Sequence, residues 1–146
     1  MRSEWKMGGA VGLSALSAIW GWFGWLAVLW IFCMVADYAT GTAVACKRGK
    51  WSSATARGGI WGKLGSMIVV LVSVGLDLGI GLILTEIEAL PFPYTVLLSP
   101  IVLSWYILTE MGSILENAGA LGAPMPDFLV RWIAALQRRV ERMGEE

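Results

Sequence analysis

Residues 64–84 read LGSMIVVLVSVGLDLGIGLIL, an apolar run whose only charged residue is Asp77. A stretch of roughly 20 apolar residues is long enough to cross the hydrocarbon core of a bilayer as an α-helix. Lys63 precedes the run, and no further Lys or Arg occurs before Arg131. The stretch therefore predicts a transmembrane helix over about residues 59–84, and with it a membrane protein.

The remaining Lys and Arg residues mark the ends of other apolar segments. They lie in the N-terminal tail, between residues 47 and 63, and from Arg131 to the C-terminus. Because the cytoplasmic flanks of membrane spans are rich in Lys and Arg, we expect all three groups on the cytoplasmic side. The acidic, proline-containing loop at residues 85–93 carries no base and is predicted to be external.

The composition agrees with a membrane protein. The chain of 146 residues is 57% hydrophobic and only 15% charged, which is too apolar for a soluble domain of this length. Its formal net charge is zero, so it offers no basic surface large enough to predict a nucleic acid as partner.

The apolar block at residues 7–46 is too long for a single perpendicular span. Trp20 to Trp25 interrupt it with two glycines, a composition that favours a turn at the membrane interface. We therefore predict a short span over residues 8–20 and a longer one over residues 24–46. A single long tilted helix, which would give three crossings in total, is the alternative.

A polar loop is predicted at residues 47–58, before the span at 59–84, and a last span at about residues 94–118, with a kink at Ser99 and Pro100. Residues 124–146 are predicted to form an amphipathic helix, since their apolar positions recur every three or four residues. That helix would either lie on the anionic membrane surface or pair with a copy of itself.

The predicted fold is thus an all-α integral membrane protein with four, or alternatively three, transmembrane helices and a C-terminal amphipathic helix in the cytoplasm. Residues 1–123 form the transmembrane domain, and residues 124–146 form the cytoplasmic helix.

Acidic side chains lie inside three of the predicted spans. Asp37, Asp77 and Glu110 would each cost about 2.5–3.5 kcal/mol at the centre of an isolated membrane helix. We predict a functional or assembly role for Asp77 and Glu110, and Gly75 and Gly79 flank Asp77 with a face that another helix can approach closely. Asp37 lies near the same end of its helix as Lys63 does in the next one, so a salt bridge between them is expected.

The sequence contains no pattern that indicates catalysis. No nucleophile is paired with a base, and no glycine-rich loop opens a helix after a strand. Cys33 and Cys46 are too far apart in sequence for a metal or redox motif, and the chain has no His. We expect neither an enzyme nor a bound metal or other cofactor.

Several local motifs, taken in order, resemble the holins of phage lysis and toxin secretion. One is the run from Asp37 through Tyr38 and Thr40 to Gly41, which closes a span. The others are Ser52 and Ser53 in the basic loop, Gly59 and Lys63 at the start of the next span, Asp77 within it, and residues 113–119 followed by 122–126. The resemblance covers about residues 22–136. It identifies as motif residues Asp37, Tyr38, Thr40, Gly41, Ser52, Ser53, Lys63, Glu116 and Asn117.

This resemblance implies a protein of the bacterial cytoplasmic membrane that oligomerises with itself in the lipid bilayer and opens lesions, so that the membrane potential collapses. It implies an endolysin, or a toxin, as the functional partner released in this way, and it allows for an antiholin. The rival interpretations are a small four-helix multidrug transporter and an accessory subunit of a membrane complex. A transporter of that kind is expected to carry an acid in its first span, whereas residues 7–36 carry no charge.

Overall fold

The computed structural model describes the backbone of residues 2–86 and 98–145, and the side chains of residues 21–84 and 98–145. The chain forms four α-helices in the order α1 (Arg2–Lys47), α2 (Ser53–Glu86), α3 (Leu98–Leu121) and α4 (Asp127–Met143). The described residues contain no β-strand. Three helical segments are long and apolar enough to cross a membrane: Gly21–Lys47, Ser53–Leu84 and Leu98–Leu121. The prediction of an all-α membrane protein is confirmed.

Helix α1 is interrupted at Gly21. This residue has φ 55° and ψ −161°, values outside the helical range, so two helical segments meet there at a kink. A positive φ is accessible to glycine without the steric cost that a β-carbon imposes. The break falls within the Trp20 to Trp25 segment, where the sequence predicts it. Residues 8–20 are helical, and their crossing of the membrane as a separate span stays a prediction.

The connection between α1 and α2 is shorter than predicted. Residues 53–58, which we expected in the polar loop, form the first turns of α2. The reason is a capping interaction, since the Ser52 hydroxyl accepts a hydrogen bond from the backbone N–H of Thr55 at 3.1 Å. The expected external loop at residues 85–93 overlaps the end of α2 at Glu86, and its remainder lies outside the described residues.

The kink predicted at Ser99 and Pro100 stays a prediction, because the residues before Leu98 lie outside the described part of the chain. Both residues lie in the first turn of α3, which begins at Leu98. Proline is tolerated in a first helical turn, where its missing N–H would have no intrahelical partner. The beginning predicted at residue 94 lies outside the described residues. The helix continues past residue 118 to Leu121, and Gly122 follows with φ 104°.

Helices α1 and α3 run parallel to each other, and α2 runs antiparallel to both. Lys47 at the end of α1 reaches the end of α3, whereas Asp77 in the later part of α2 reaches the start of α3. The core between them is a cluster of Trp30, Cys33, Met34, Val70, Leu103 and Ile107. Large apolar side chains are exposed along the outer side of α2, which suits contact with lipid.

Helix α4 folds back along α3. Trp105 Nε1 of α3 donates to Glu141 Oε1 at 3.0 Å, and Gln137 Nε2 donates to Thr109 Oγ1 at 3.4 Å. An amphipathic helix is present over Asp127–Met143, inside the predicted range of 124–146, and its apolar face packs on α3 of the same chain. Its contact with the membrane surface or with a second copy stays a prediction. Its cytoplasmic position stays a prediction.

Candidate functional site

Three ionisable side chains from three different helices meet inside the bundle. Lys63 of α2 places its Nζ 2.9 Å from Asp37 Oδ2 of α1 and 2.5 Å from Glu110 Oε2 of α3. The side chains are 19%, 21% and 11% exposed, respectively, so all three are largely shielded. The salt bridge expected between Asp37 and Lys63 is therefore present, and Glu110 joins it as a second acid.

A polar layer adjoins this cluster on the side of the α1 and α3 C-termini. Asn117 Nδ2 donates to Asp37 Oδ1 at 3.0 Å and lies 3.1 Å from Thr40 Oγ1. The Thr40 hydroxyl itself donates to the carbonyl of Ala36 at 2.9 Å. A β-carbon on Gly41 would lie 3.6 Å from Asn117 Nδ2, at ordinary van der Waals distance, so α1 and α3 are packed closely at this level. Both carboxylate oxygens of Asp37 thus have a donor.

The position of the cluster along the helices makes it costly to leave unpaired. At 1.5 Å per residue, Asp37 lies about 15 Å from Lys47, and Glu110 lies about 16 Å from the end of α3 at Leu121. These distances place both acids near the middle of segments long enough to span a membrane. Ionised groups at that depth are stabilised by pairing with one another, and two acids with one base leave one net negative charge.

Asp77 is buried at the other end of the bundle, where it caps a helix. Its Oδ1 accepts from the Leu98 N–H at 3.1 Å, and its Oδ2 accepts from the Ser99 N–H at 2.7 Å. The first N–H groups of a helix have no intrahelical acceptor, and a carboxylate also interacts favourably with the positive end of the helix dipole. Asp77 therefore holds α2 to the start of α3 within a single chain.

Of the other residues singled out by sequence, Tyr38 adjoins the cluster, and the rest lie apart from it. Tyr38 packs over Gly59, where an added β-carbon would lie 3.8 Å from its ring. Ser52 caps α2, and Ser53 is the first residue of that helix. Glu116 is exposed. The positions of Gly75 and Gly79 are open, because a β-carbon there would have no described atom within 4 Å.

Two interactions were missed by sequence reasoning. The Lys47 ammonium group donates to the carbonyls of Ala120 and Leu121 at 3.2 Å and 2.8 Å, so a base of α1 caps the C-terminus of α3. Glu110 was predicted to have a functional or assembly role, and its pairing with Lys63 was not predicted. The charge count gave a signal for that pairing, since Lys63 is the one base that the sequence places beside the membrane acids.

A cavity of about 410 Å³ opens beside the ion cluster, between α1 and α2. Asp37, Lys63 and Glu110 line one side, and Tyr38 and Trp51 supply aromatic walls. Among the described residues, no group of three or more His, Cys, Asp or Glu side chains has the arrangement of a metal site.

The fold and the ion cluster together define a small all-α membrane protein whose candidate spans are joined by ionised side chains. The bacteriophage holin family matches residues 14–138, and the chain belongs to this family. The matched segment contains every residue of the ion cluster and most of α4.

Two curated relatives are similar to the chain, and both are uncharacterised proteins. One, from Halalkalibacterium halodurans, is 31% identical over 132 residues, which cover 90% of this chain and 93% of the relative. The other, from Clostridium perfringens, is 34% identical over 103 residues, which cover 70% of this chain and 68% of the relative. No solved structure matches the chain.

Proposed function

We propose that this protein is a holin that accumulates in the cytoplasmic membrane of a bacterial host, oligomerises there and opens lesions. Through these lesions the membrane potential collapses and an endolysin, or a toxin, leaves the cytoplasm. The observation that carries the proposal is the pairing of Asp37, Lys63 and Glu110 at bilayer depth, within a segment that belongs to the holin family.

The ion cluster accounts for the two properties that a holin needs. While the three groups pair within one chain, the ionised side chains are shielded from lipid, so the protein is tolerated in an intact membrane. The same groups retain one negative charge in excess, and neighbouring copies or water can offer it a better environment. Assembly at high surface density then provides for this excess charge while the pairing within each chain is kept.

In the resting protein we place the three basic groups, including those of α4, on the cytoplasmic side, following the distribution of Lys and Arg along the chain. The membrane potential opposes movement of positive charge outward, at about 2.3 kcal/mol per charge and 100 mV. An opening that moves basic groups outward is therefore favoured when the potential is lost. The first lesions then promote further opening, which makes the transition abrupt.

The cavity beside the cluster is the specific observation that favours the transporter alternative, because it combines carboxylates with aromatic walls. The acid in it is held by Lys63 and Asn117, however, whereas a drug-binding acid would have to be available to a cationic substrate. Family membership also favours the holin.

Inducible expression in a bacterial host, with a potential-sensitive dye and with or without a co-expressed endolysin, tests the proposal. We expect a delay, then a sudden loss of potential, and lysis only when the endolysin is present. Lys63→Met should change the delay at equal protein level, whereas Lys50→Met, in the exposed loop after α1, should not. A protein that stays monomeric at high density in vesicles, with entrapped dye retained, would refute the proposal; drug resistance without loss of potential would support the transporter.

A further inference from the structure

Helix α4 follows α3 in antiparallel register over most of its length. A β-carbon on Gly144 would lie 3.9 Å from Ile101 Cγ2. One turn along, Trp105 bonds to Glu141, and one turn further Thr109 bonds to Gln137. Both helices advance by about four residues between these contacts, so α4 covers one side of α3 continuously.

The two sides of α4 differ sharply in chemistry. Ile133 is buried against α3, and Leu129, Leu136 and Val140 on the same side are partly buried. The opposite side carries exposed charged residues, namely Asp127, Arg131, Arg138 and Arg142, whereas Glu141 reaches across to Trp105 of α3. Three arginines and one acid leave two positive charges on this outer face.

The length of α4 places that outer face at membrane depth whenever α3 crosses a bilayer. The helix has 17 residues, about 25 Å, against a hydrocarbon core of about 30 Å. Arginine side chains within membrane spans face a protein interior or water, because lipid solvates them poorly. The arrangement of α4 on α3 is therefore compatible with a membrane only if its outer face meets water.

We propose that α4 lines the water-filled opening of the assembled protein, with its arginines toward the water and its apolar face on α3. This inference rests on the proposed function and adds to it the surface that forms the opening. In the resting protein α4 lies on the cytoplasmic side, and in the assembly it lies on the flank of α3, as in the structure, with the ion cluster still paired within each chain. The C-terminus then lies at the level of Ile101, near the external end of that helix.

A third strip on α4 provides contact between copies. Phe128, Trp132 and Met143 are 68%, 64% and 53% exposed and lie between the apolar and charged faces. By helical spacing, Arg139 lies on the same strip. In a closed ring of copies, the strip on α4 of one copy contacts the side of the neighbouring copy. Apolar contact at the sides with charge toward the centre is the distribution that a water-filled opening in lipid requires.

Disulfide cross-linking tests the position of α4. In a chain with Cys33→Ala and Cys46→Ala, Ile101→Cys paired with Gly144→Cys should form an intramolecular disulfide in membranes collected after the potential has collapsed. The matched control pair, Ile101→Cys with Gln137→Cys, lies about two turns, or about 12 Å, out of register and should not. If α4 stays on the cytoplasmic surface, residues 101 and 144 are about 30 Å apart along α3. Equal cross-linking of both pairs, or of neither, would overturn the proposal.

Ion selectivity tests whether the arginines face the conducting water, with the native cysteines in place. In planar bilayers under a KCl gradient, small openings of the wild type should favour chloride, since the outer face is positively charged. Arg138→Glu with Arg142→Glu should move the preference toward potassium, by about threefold or more in permeability ratio. Arg48→Glu with Lys50→Glu, the same charge change outside α4, should have a much smaller effect.

The two proposals fail in different ways. Conductance whose selectivity responds equally to both double variants, or to neither, would overturn α4 as the lining and leave the holin function intact. Absence of any conductance from the wild type would overturn the proposed function, and the lining with it.

Discussion

Lys63 is the group on which the ion cluster depends, because it is the base that both acids share. In Lys63→Met a side chain of similar length remains, but the ammonium group is lost. Asp37 Oδ2 and Glu110 Oε2 lie 2.9 Å and 2.5 Å from the same nitrogen, so the two oxygens are at most about 5.4 Å apart. Two negative charges at that separation repel by about 3 kcal/mol at an effective dielectric constant of 20.

The expected cost of Lys63→Met is therefore about 3–5 kcal/mol in the free energy of unfolding, the range typical for removing one partner of a buried ion pair. It would be measured by reversible denaturation of the purified protein in mixed micelles. Lys63→Met combined with Glu110→Gln should recover most of the loss, because Asp37 then keeps its hydrogen bond from Asn117 without a neighbouring charge. Lys50→Met in the exposed loop is the matched control, expected within about 0.5 kcal/mol of the wild type.

The reasoning would be refuted by a Lys63→Met protein as stable as the wild type. It would also be refuted if adding Glu110→Gln lowered stability further, since the two acids would then not repel each other. In the host, the destabilised single variant should change the time of lysis, and the double variant should return it toward that of the wild type.

Three further perturbations follow from the contacts described. Asp77→Ala removes the acceptor for the first two N–H groups of α3. We expect the free energy of unfolding to fall by about 0.5–2 kcal/mol in thermal unfolding, and hydrogen exchange at the start of that helix to become faster. Unchanged exchange there would contradict the capping role. Gly41→Val crowds the Asn117 amide, so unfolding should become easier by about 1–3 kcal/mol, whereas Gly79→Val, facing open space, should leave the stability of the monomer in micelles within about 0.5 kcal/mol. Lys47→Met takes the donor from the last two carbonyls of α3 and should cost about 1 kcal/mol, with Lys50→Met again as the control that should not respond.

Sequence patterns gave the class of protein and most of the helices. Apolar runs bounded by bases locate membrane helices because apolar side chains favour the hydrocarbon core. Lipid offers the backbone no hydrogen-bond partners, so such a run forms a helix, and both constraints are local. The break at Gly21 was also readable, since glycine between tryptophans is a local signal. An error arose at the start of α2, which the Ser52 cap extended backward.

The ion cluster was only half predictable. The pair of Asp37 and Lys63 follows from a hairpin, in which two residues at similar distances from a short loop must face each other. Glu110 and Asn117 come from α3, and nothing along the chain indicates which side of α3 turns toward that hairpin. Asp77 shows the same limit, because its acceptor role depends on where the start of α3 lies in space.

By itself, then, the sequence determined that this is a helical membrane protein with bases at the ends of its candidate spans and acids within them, because hydrophobicity and charge act residue by residue along the chain. Only the tertiary structure decided which acids share Lys63, which one caps α3, and that the charged helix α4 lies along a membrane span. Those outcomes depend on how the packed helices are rotated and shifted relative to one another. Packing across the whole bundle sets that arrangement, and no local run of residues does.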